Sequence, residues 1–153
     1  MLDTSSADAV TGANGLMTVG DLARRTGLSI KAIRQYEAAG LIYSAGRSES
    51  NYRLFDESAL WCAQVIVTLR SLGLTVKEIE ELVGIYLDRP EAPIGSHLAR
   101  LLDRAEDRIG TRIAELEAAR RRIAHYRAEH ADALAGRPGA ELMPPDPRRP
   151  RAA

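Results

Sequence analysis

Basic and polar side chains that could contact a polyanion are concentrated in residues 18–55. This segment contains six basic residues and three acids, whereas residues 56–93 contain three basic residues and seven acids. The six basic residues are Arg24, Arg25, Lys31, Arg34, Arg47 and Arg53. The formal net charge of zero therefore hides a basic N-terminal segment. Because the distribution of charge matters more than its total, nucleic acid stays a candidate partner.

Two short helices are predicted to carry several of these residues. Thr18 can cap the first helix through its hydroxyl, and Gly27 ends that helix. Ser29 can cap the second, which runs to about residue 38 and is expected to bury Ile30 and Ile33. A pair of helices joined by such a short turn is a helix-turn-helix. Packing of their apolar faces leaves three polar side chains pointing outward, namely Lys31, Arg34 and Gln35.

A small hairpin, or wing, is predicted after the second helix. Residues 41–43 and 52–54 are strand-prone, and residues 44–51 between them are rich in Gly, Ser and Asn. Asp56 can then cap a third helix that runs to about residue 71, and Thr75 can cap a fourth.

The longest periodic segment of the chain follows. Apolar or weakly polar residues recur at steps of three and four, at Leu98, Leu102, Ala105, Ile109, Ile113, Leu116, Ala119, Ile123, Tyr126 and His130. This spacing predicts a coiled-coil helix over residues 94–135. At 1.5 Å per residue such a helix spans about 60 Å, which is more than so small a domain could cover. We therefore expect the same helix of a second copy to cover the apolar stripe.

The remaining segments delimit these units. Residues 1–15 contain no basic residue, so they are expected to be a disordered leader and not a secretory signal. Residues 136–153 contain five of the seven prolines and are expected to be a disordered tail. The predicted fold is mainly α, with a winged helix-turn-helix domain over residues 16–88 and a dimerisation helix over residues 94–135.

Three motifs resemble, in order and spacing, the N-terminal part of MerR-family transcription regulators. They are TVGDLARRTGLSIKAIRQYEAAGLI at residues 18–42, NYRLFD at residues 51–56 and LRSLGLTVKEI at residues 69–79. The resemblance implies a homodimer, held by an antiparallel coiled coil, that binds a palindromic promoter operator. It also implies control of transcription by distortion of the promoter, with RNA polymerase as a further partner.

The resemblance assigns DNA contacts to side chains on the second helix, on the wing and at the start of the fourth helix. Ser29, Lys31, Arg34 and Gln35 are expected to reach base edges in the major groove. Arg47, Tyr52 and Arg53 on the wing, and Thr75 and Lys77 at a helix N-terminus, are expected to meet phosphates. The resemblance also assigns Thr18 to the DNA contacts. Tyr36 is left with two alternatives, packing beneath the wing or touching a phosphate.

Dimer contacts are assigned to the long helix. The expected residues are Leu98, Leu102, Ile109, Ile113, Leu116, Ile123 and Tyr126.

The sequence leaves the regulatory signal open. Metal-sensing relatives carry cysteines just after the dimerisation helix, and residues 131–143 here contain none. We expect no metal and no cofactor, although a zinc site built across a dimer stays an alternative. The single cysteine, Cys62, is either a small buried hydrophobe or a redox-reactive thiol. The sequence does not distinguish an activator from a repressor.

Other classes of protein fit less well. The sequence shows no Ser/His/Asp set, no paired carboxylates in a pocket-like context and no glycine-rich phosphate loop, so we do not expect an enzyme. No apolar run approaches the roughly 18 residues of a membrane span, and a cytoplasmic location is expected. A coiled-coil interaction or architectural protein without ligand-dependent promoter control remains the alternative.

Overall fold

The computed structural model describes residues 15–144 and 146–148. Helices dominate, and their order with the strands is β1 (Met17–Thr18), α1 (Val19–Thr26), α2 (Ile30–Ala38), β2 (Gly46–Arg47), β3 (Arg53–Phe55), α3 (Glu57–Ser71), α4 (Val76–Asp88), α5 (Ile94–Glu129) and α6 (Ala131–Leu134). The predicted mainly α fold, with a helix-turn-helix, a wing and a long C-terminal helix, is confirmed. The described part of the chain forms two compact units, divided between Glu106 and Asp107, and α5 contributes to both.

The helix starts in the first unit are set by local capping, as the sequence predicts. The Thr18 hydroxyl accepts a hydrogen bond from the Asp21 N–H at 3.2 Å, and the Ser29 hydroxyl accepts one from the Ala32 N–H at 3.0 Å. Gly27 ends α1 with a φ of 74°, a left-handed conformation that glycine adopts at little cost. The N-caps of α3 and α4 are likewise the predicted ones, Asp56 and Thr75.

The wing differs from the predicted hairpin. Residues 41–43 are not a strand, and β2 instead falls inside the segment that was expected to be a turn. The reason lies at the end of α2, where the Leu41 N–H donates to the Tyr36 carbonyl at 2.9 Å and is therefore not free for a strand ladder. Leu41 and Ile42 are buried as core residues. The strand order is β1-β3-β2, so β3 is paired on both sides.

The core of the first unit is built from every helix from α1 to α5 and from the sheet. Its fully buried large side chains are Phe55, Leu22, Ile33, Ile42, Leu74, Ile79 and Leu101. The expectation that Ile30 is buried is wrong, because Ile30 occupies the first turn of α2 and is 41% exposed. The buried face of α2 is formed instead by Ile33 and Tyr36, three residues apart.

The first turns of α5 belong to this core. Leu101 and Ala105 are buried, and Leu98 and Leu102 are half-buried against the same cluster. The expectation that the whole apolar stripe needs a second copy is therefore wrong for this part of the helix. The sequence pattern also missed Leu101, which faces the core although it lies outside the predicted series.

In the second unit, α5 ends at Glu129, earlier than the predicted residue 135. His130 follows as a turn, with its ring stacked on Tyr126 at a centroid distance of 4.1 Å, and α6 comes next. The Tyr126 hydroxyl donates a hydrogen bond to the Leu142 carbonyl at 2.9 Å. Most of the expected leader, residues 1–14, lies outside the described residues, and the disorder of both ends stays a prediction. None of the helices within the described ranges is long and apolar enough to span a membrane.

Candidate nucleic-acid interface

A concavity of about 570 Å³ lies between α2 and the wing. The residues that line it are Thr18, Val19, Arg34, Glu37, Ala38, Arg47, Asn51, Tyr52, Arg53 and Phe55. It brings together five of the residues that were assigned to DNA contacts from three separate segments of the sequence. Three of its four charged residues are arginines, so the lining is cationic and suits an anionic ligand.

The exposed face of α2 carries further predicted contacts. Lys31, Arg34 and Gln35 are exposed, whereas Ile33 and Tyr36 on the other side of the helix are buried. Ser29 precedes the helix, and its side-chain oxygen is used as the N-cap. A helix that is held on one face and presents cationic and amide groups on the other is suited to enter the major groove.

Tyr36 is only 6% exposed and belongs to the hydrophobic core. Of the two alternatives for this residue, its burial favours packing beneath the wing. A phosphate contact at Tyr36 stays a prediction.

The wing arginines are held by other residues of the chain. The Arg47 guanidinium donates from Nη1 to the Asn51 carbonyl at 3.1 Å and to the Asn51 side-chain oxygen at 3.2 Å. Asn51 has a φ of 66°, a left-handed conformation that asparagine tolerates better than most residues. Arg53 forms an ion pair with Glu37 of α2. Tyr52, which precedes Arg53 in the sequence, is 70% exposed.

Thr75 and Lys77 are exposed at the start of α4 but do not line the concavity. The Thr75 hydroxyl accepts from the Glu78 N–H at 3.2 Å, and the Glu78 carboxylate accepts from the Thr75 N–H at 2.9 Å. The two residues therefore form a capping box. Thr75 and Lys77 therefore belong to a second candidate surface, which does not include the lining of the concavity.

The other two arginines of the basic segment have partners on the surface of the first unit. Arg24 pairs with Asp21, and Arg25 pairs with Glu57 at 3.2 Å. Hydrogen bonds from the Thr18 side chain and backbone, together with the Arg24 charge, lower the pKa of the Asp21 carboxyl. Neither arginine was assigned to a DNA contact, and neither lines the concavity.

Sequence reasoning missed two parts of the concavity. Glu37 was not among the expected contacts, and nothing in its local sequence indicates a partner on the wing. The apolar floor, formed by Val19, Ala38 and Phe55, was also missed. Both depend on contacts between residues that are distant in the sequence.

Cys62 is half-buried on α3, beside a cavity of about 110 Å³ that is also lined by Tyr43 and Asp56. Burial raises the pKa of the Cys62 thiol, and the Asp56 carboxylate adds to that rise. A raised pKa leaves less thiolate at neutral pH, so the environment favours a structural cysteine over a reactive one. Among the described residues, no group of three His, Cys, Asp or Glu side chains is placed to hold a metal ion.

Comparison with known proteins identifies relatives along most of the chain. The model of the family described as MerR HTH family regulatory protein matches residues 17–84, and the one described as MerR, DNA binding matches residues 63–126. The HTH-type transcriptional regulator HmrR of Sinorhizobium medicae is 31% identical over 128 residues, which cover 83% of this chain and 84% of HmrR. The Heavy metal-dependent transcription regulator 2 of Rhizobium meliloti is 37% identical over 76 residues, 50% of this chain and 52% of that protein.

Two solved structures show the same fold. PbrR691 from Ralstonia metallidurans CH34, solved in complex with lead(II), has a TM-score of 0.59 and 32% identity, covering 73% of this chain and 86% of that one. HiNmlR, a regulator lacking the sensor domain and bound to promoter DNA, has a TM-score of 0.56 and covers 84% of this chain and 99% of that one. At 22% identity the likeness to HiNmlR supports the fold alone.

Proposed function

This chain belongs to the MerR family of helix-turn-helix regulatory proteins, and we propose that it binds a palindromic promoter operator as a homodimer. Like the other members of that family, it is a DNA-binding transcription regulator and not an enzyme. We propose further that it controls transcription by distorting the promoter, with RNA polymerase as the partner that reads the distortion. A cytoplasmic location is part of the same proposal.

The observation that carries the DNA-binding site is the cationic concavity between α2 and the wing. Arg34 on α2 lies beside Arg47, Tyr52 and Arg53 on the wing, so one helix and one hairpin present donors to the same ligand. We assign Lys31, Arg34 and Gln35 to base edges and the wing residues to phosphates. The charge density of a DNA backbone suits this surface, because the guanidinium groups replace condensed counterions when they bind.

The dimer proposal is supported by the part of α5 in the second unit. Its apolar side chains are exposed there, with Ile109, Ile113, Leu116 and Ile123 each close to half exposed and Tyr126 39% exposed. A stripe of this kind favours burial against another helix. Leu98 and Leu102 are partly buried against the core of the first unit, so only the exposed part of each side chain could contact a second copy.

An antiparallel arrangement is supported by the charges along this part of α5. Residues 107–117 hold three acids and two arginines, whereas residues 118–129 hold four arginines and one glutamate. Antiparallel pairing places the acidic half of one helix against the basic half of the other, and parallel pairing places like charges together. In an antiparallel dimer the coil, and not the DNA, sets the spacing of the two recognition helices.

The names of some relatives mention a metal, but a thiolate-bound metal effector does not fit the residues of this chain. Soft metals such as lead(II) prefer thiolate ligands, and the chain has one cysteine, half-buried and with a raised pKa. We therefore propose that any effector of this regulator is not held by a cysteine cage.

The proposal is tested by mapping the sequence that the protein protects on its own promoter. We expect protection of two half-sites by the wild-type chain and loss of protection when Arg34→Ala and Arg53→Ala are combined. Arg24→Ala is the matched control, because it removes an arginine from the same segment that pairs with Asp21 outside the concavity. Equal protection by the double variant and the control would place the DNA site elsewhere.

A further inference from the structure

Glu37 is a carboxylate within a cationic surface. It follows Arg34 by one turn of α2 and lines the same concavity as Arg34, Arg47 and Arg53. Its side chain is only 14% exposed, whereas that of its ion-pair partner Arg53 is 48% exposed. A carboxylate beside incoming phosphates repels them, so attraction of DNA gives no reason for an acid at this position.

The register of the wing provides a reason. Arg47 of β2 and Arg53 of β3 are directly opposite each other in the antiparallel pair. Like charges on directly opposite residues destabilise a strand pair, because the two side chains lie close together on the same face of the sheet. Each arginine has a separate partner, Asn51 for Arg47 and Glu37 for Arg53. Glu37 thus offsets the repulsion and fixes the Arg53 guanidinium on the side of α2.

An arginine can keep such a partner and still bind a phosphate. The guanidinium has five N–H donors in a planar fork, and the pair with Glu37 uses Nη1. The donors that remain can face the ligand, since nearly half of the Arg53 side chain is exposed.

We propose that Glu37 is a positioning residue that orients Arg53 for one phosphate and thereby increases the preference for the operator over other DNA. This inference rests on the proposed function of the concavity. On the operator, base contacts fix the path of the backbone, so a pre-oriented guanidinium meets its phosphate with little loss of side-chain freedom. On other sequences the backbone is not held in that register, so a guanidinium fixed by Glu37 meets a phosphate less readily than a free one would.

The test compares Glu37→Gln with Glu91→Gln, which removes the same charge from an exposed position outside the concavity. Binding is measured, over a range of salt concentrations, to a duplex with the protected operator and to a random-sequence duplex. For Glu37→Gln we expect affinity for the random duplex to rise about two- to fivefold, the range that a partly exposed ion pair supplies. Its salt dependence should steepen by up to about one unit of slope. Affinity for the operator should not rise with it, so the operator preference falls.

A double-mutant cycle with Arg53→Gln separates positioning from simple charge. If Glu37 acts through Arg53, then Glu37→Gln in the Arg53→Gln background should change the operator preference no more than Glu91→Gln does. Thermal unfolding of each variant checks that it is folded. An equal effect of Glu37→Gln with and without Arg53, or an effect equal to that of Glu91→Gln, overturns the inference. If the wild-type chain itself shows no operator preference, the proposed function fails instead.

Discussion

Thr18 and Asp21 cap the first helix reciprocally. The Thr18 hydroxyl accepts from the Asp21 N–H at 3.2 Å and donates to the Asp21 carboxylate at 2.7 Å, and the Thr18 N–H donates to that carboxylate at 3.0 Å. The hydroxyl hydrogen of Thr18 is therefore already used within the chain. A phosphate contact from this hydroxyl would require the bond to Asp21 to break, so we interpret Thr18 mainly as the residue that fixes the start of α1 beside the concavity.

The same relationship predicts a pH dependence of stability. The pKa of Asp21 is lowered in the folded chain, so its contribution is complete at pH values above the unfolded pKa and is lost as pH falls through the folded pKa. Asp21→Asn should therefore lower the free energy of unfolding at neutral pH by about 0.5–2 kcal/mol, the range found for helix caps. In strong acid the difference from the wild type should shrink.

Urea denaturation at pH 7 and at pH 3 or below measures this. Asp103→Asn is a suitable control, because Asp103 is an exposed carboxylate on α5 and its substitution removes the same charge. A deficit of Asp21→Asn that is the same at both pH values would show that charge at residue 21 is unimportant.

A second prediction separates two kinds of DNA contact. Arg34 lies on the exposed face of α2, and Arg34→Ala should lose about 1–3 kcal/mol of affinity for the operator and relax the preference at one position of it. Arg53 lies on the wing, and Arg53→Ala should weaken binding to both duplexes and reduce the salt slope by about one unit, with a larger loss on the operator because Glu37 orients Arg53 for a phosphate there. Titration of both duplexes at several salt concentrations measures each effect. Equal losses on both duplexes for Arg34→Ala would mean that Arg34 contacts only phosphate.

The third prediction concerns the exposed stripe of α5. Ile113 and Leu116 are about half exposed, at 52% and 49%, and lie three residues apart on one face. Ile113→Asp combined with Leu116→Asp should convert a dimer to a monomer by placing four carboxylates in the interface, as measured by analytical ultracentrifugation. Thr111→Asp with Ala114→Asp has the same spacing on the opposite face and should leave the dimer intact. Dimers that survive the first pair would locate the interface elsewhere.

The sequence predicted those features that depend on near neighbours. Each N-cap from Thr18 to Thr75 is identifiable because its hydrogen bond closes within three residues. The pairing of Met17 with Phe55 in the sheet was missed, because β1 is two residues long and its partner is far along the chain. Leu101 was missed for a related reason, since the helix period cannot tell which apolar residue faces the chain's own core and which faces a partner. Glu37 shows the same limit in the candidate site.

The last prediction concerns the mechanism of regulation. In the proposed antiparallel dimer the distance between recognition helices is fixed by protein, so a palindromic operator must bend or untwist before both helices can bind. Smooth bending of such a site costs on the order of 1–6 kcal/mol, which contacts from α2 and the wing must offset. If the distortion serves to realign two promoter elements across an over-long spacer, shortening the spacer to the length that polymerase prefers should make transcription independent of this protein.

In vitro transcription from the native and the shortened promoter, with and without the protein, measures this. The Arg34→Ala and Arg53→Ala double variant serves as the control for effects unrelated to DNA binding. A shortened promoter that still needs the protein would indicate direct contact with polymerase as the mechanism, because no misalignment would be left for the protein to correct.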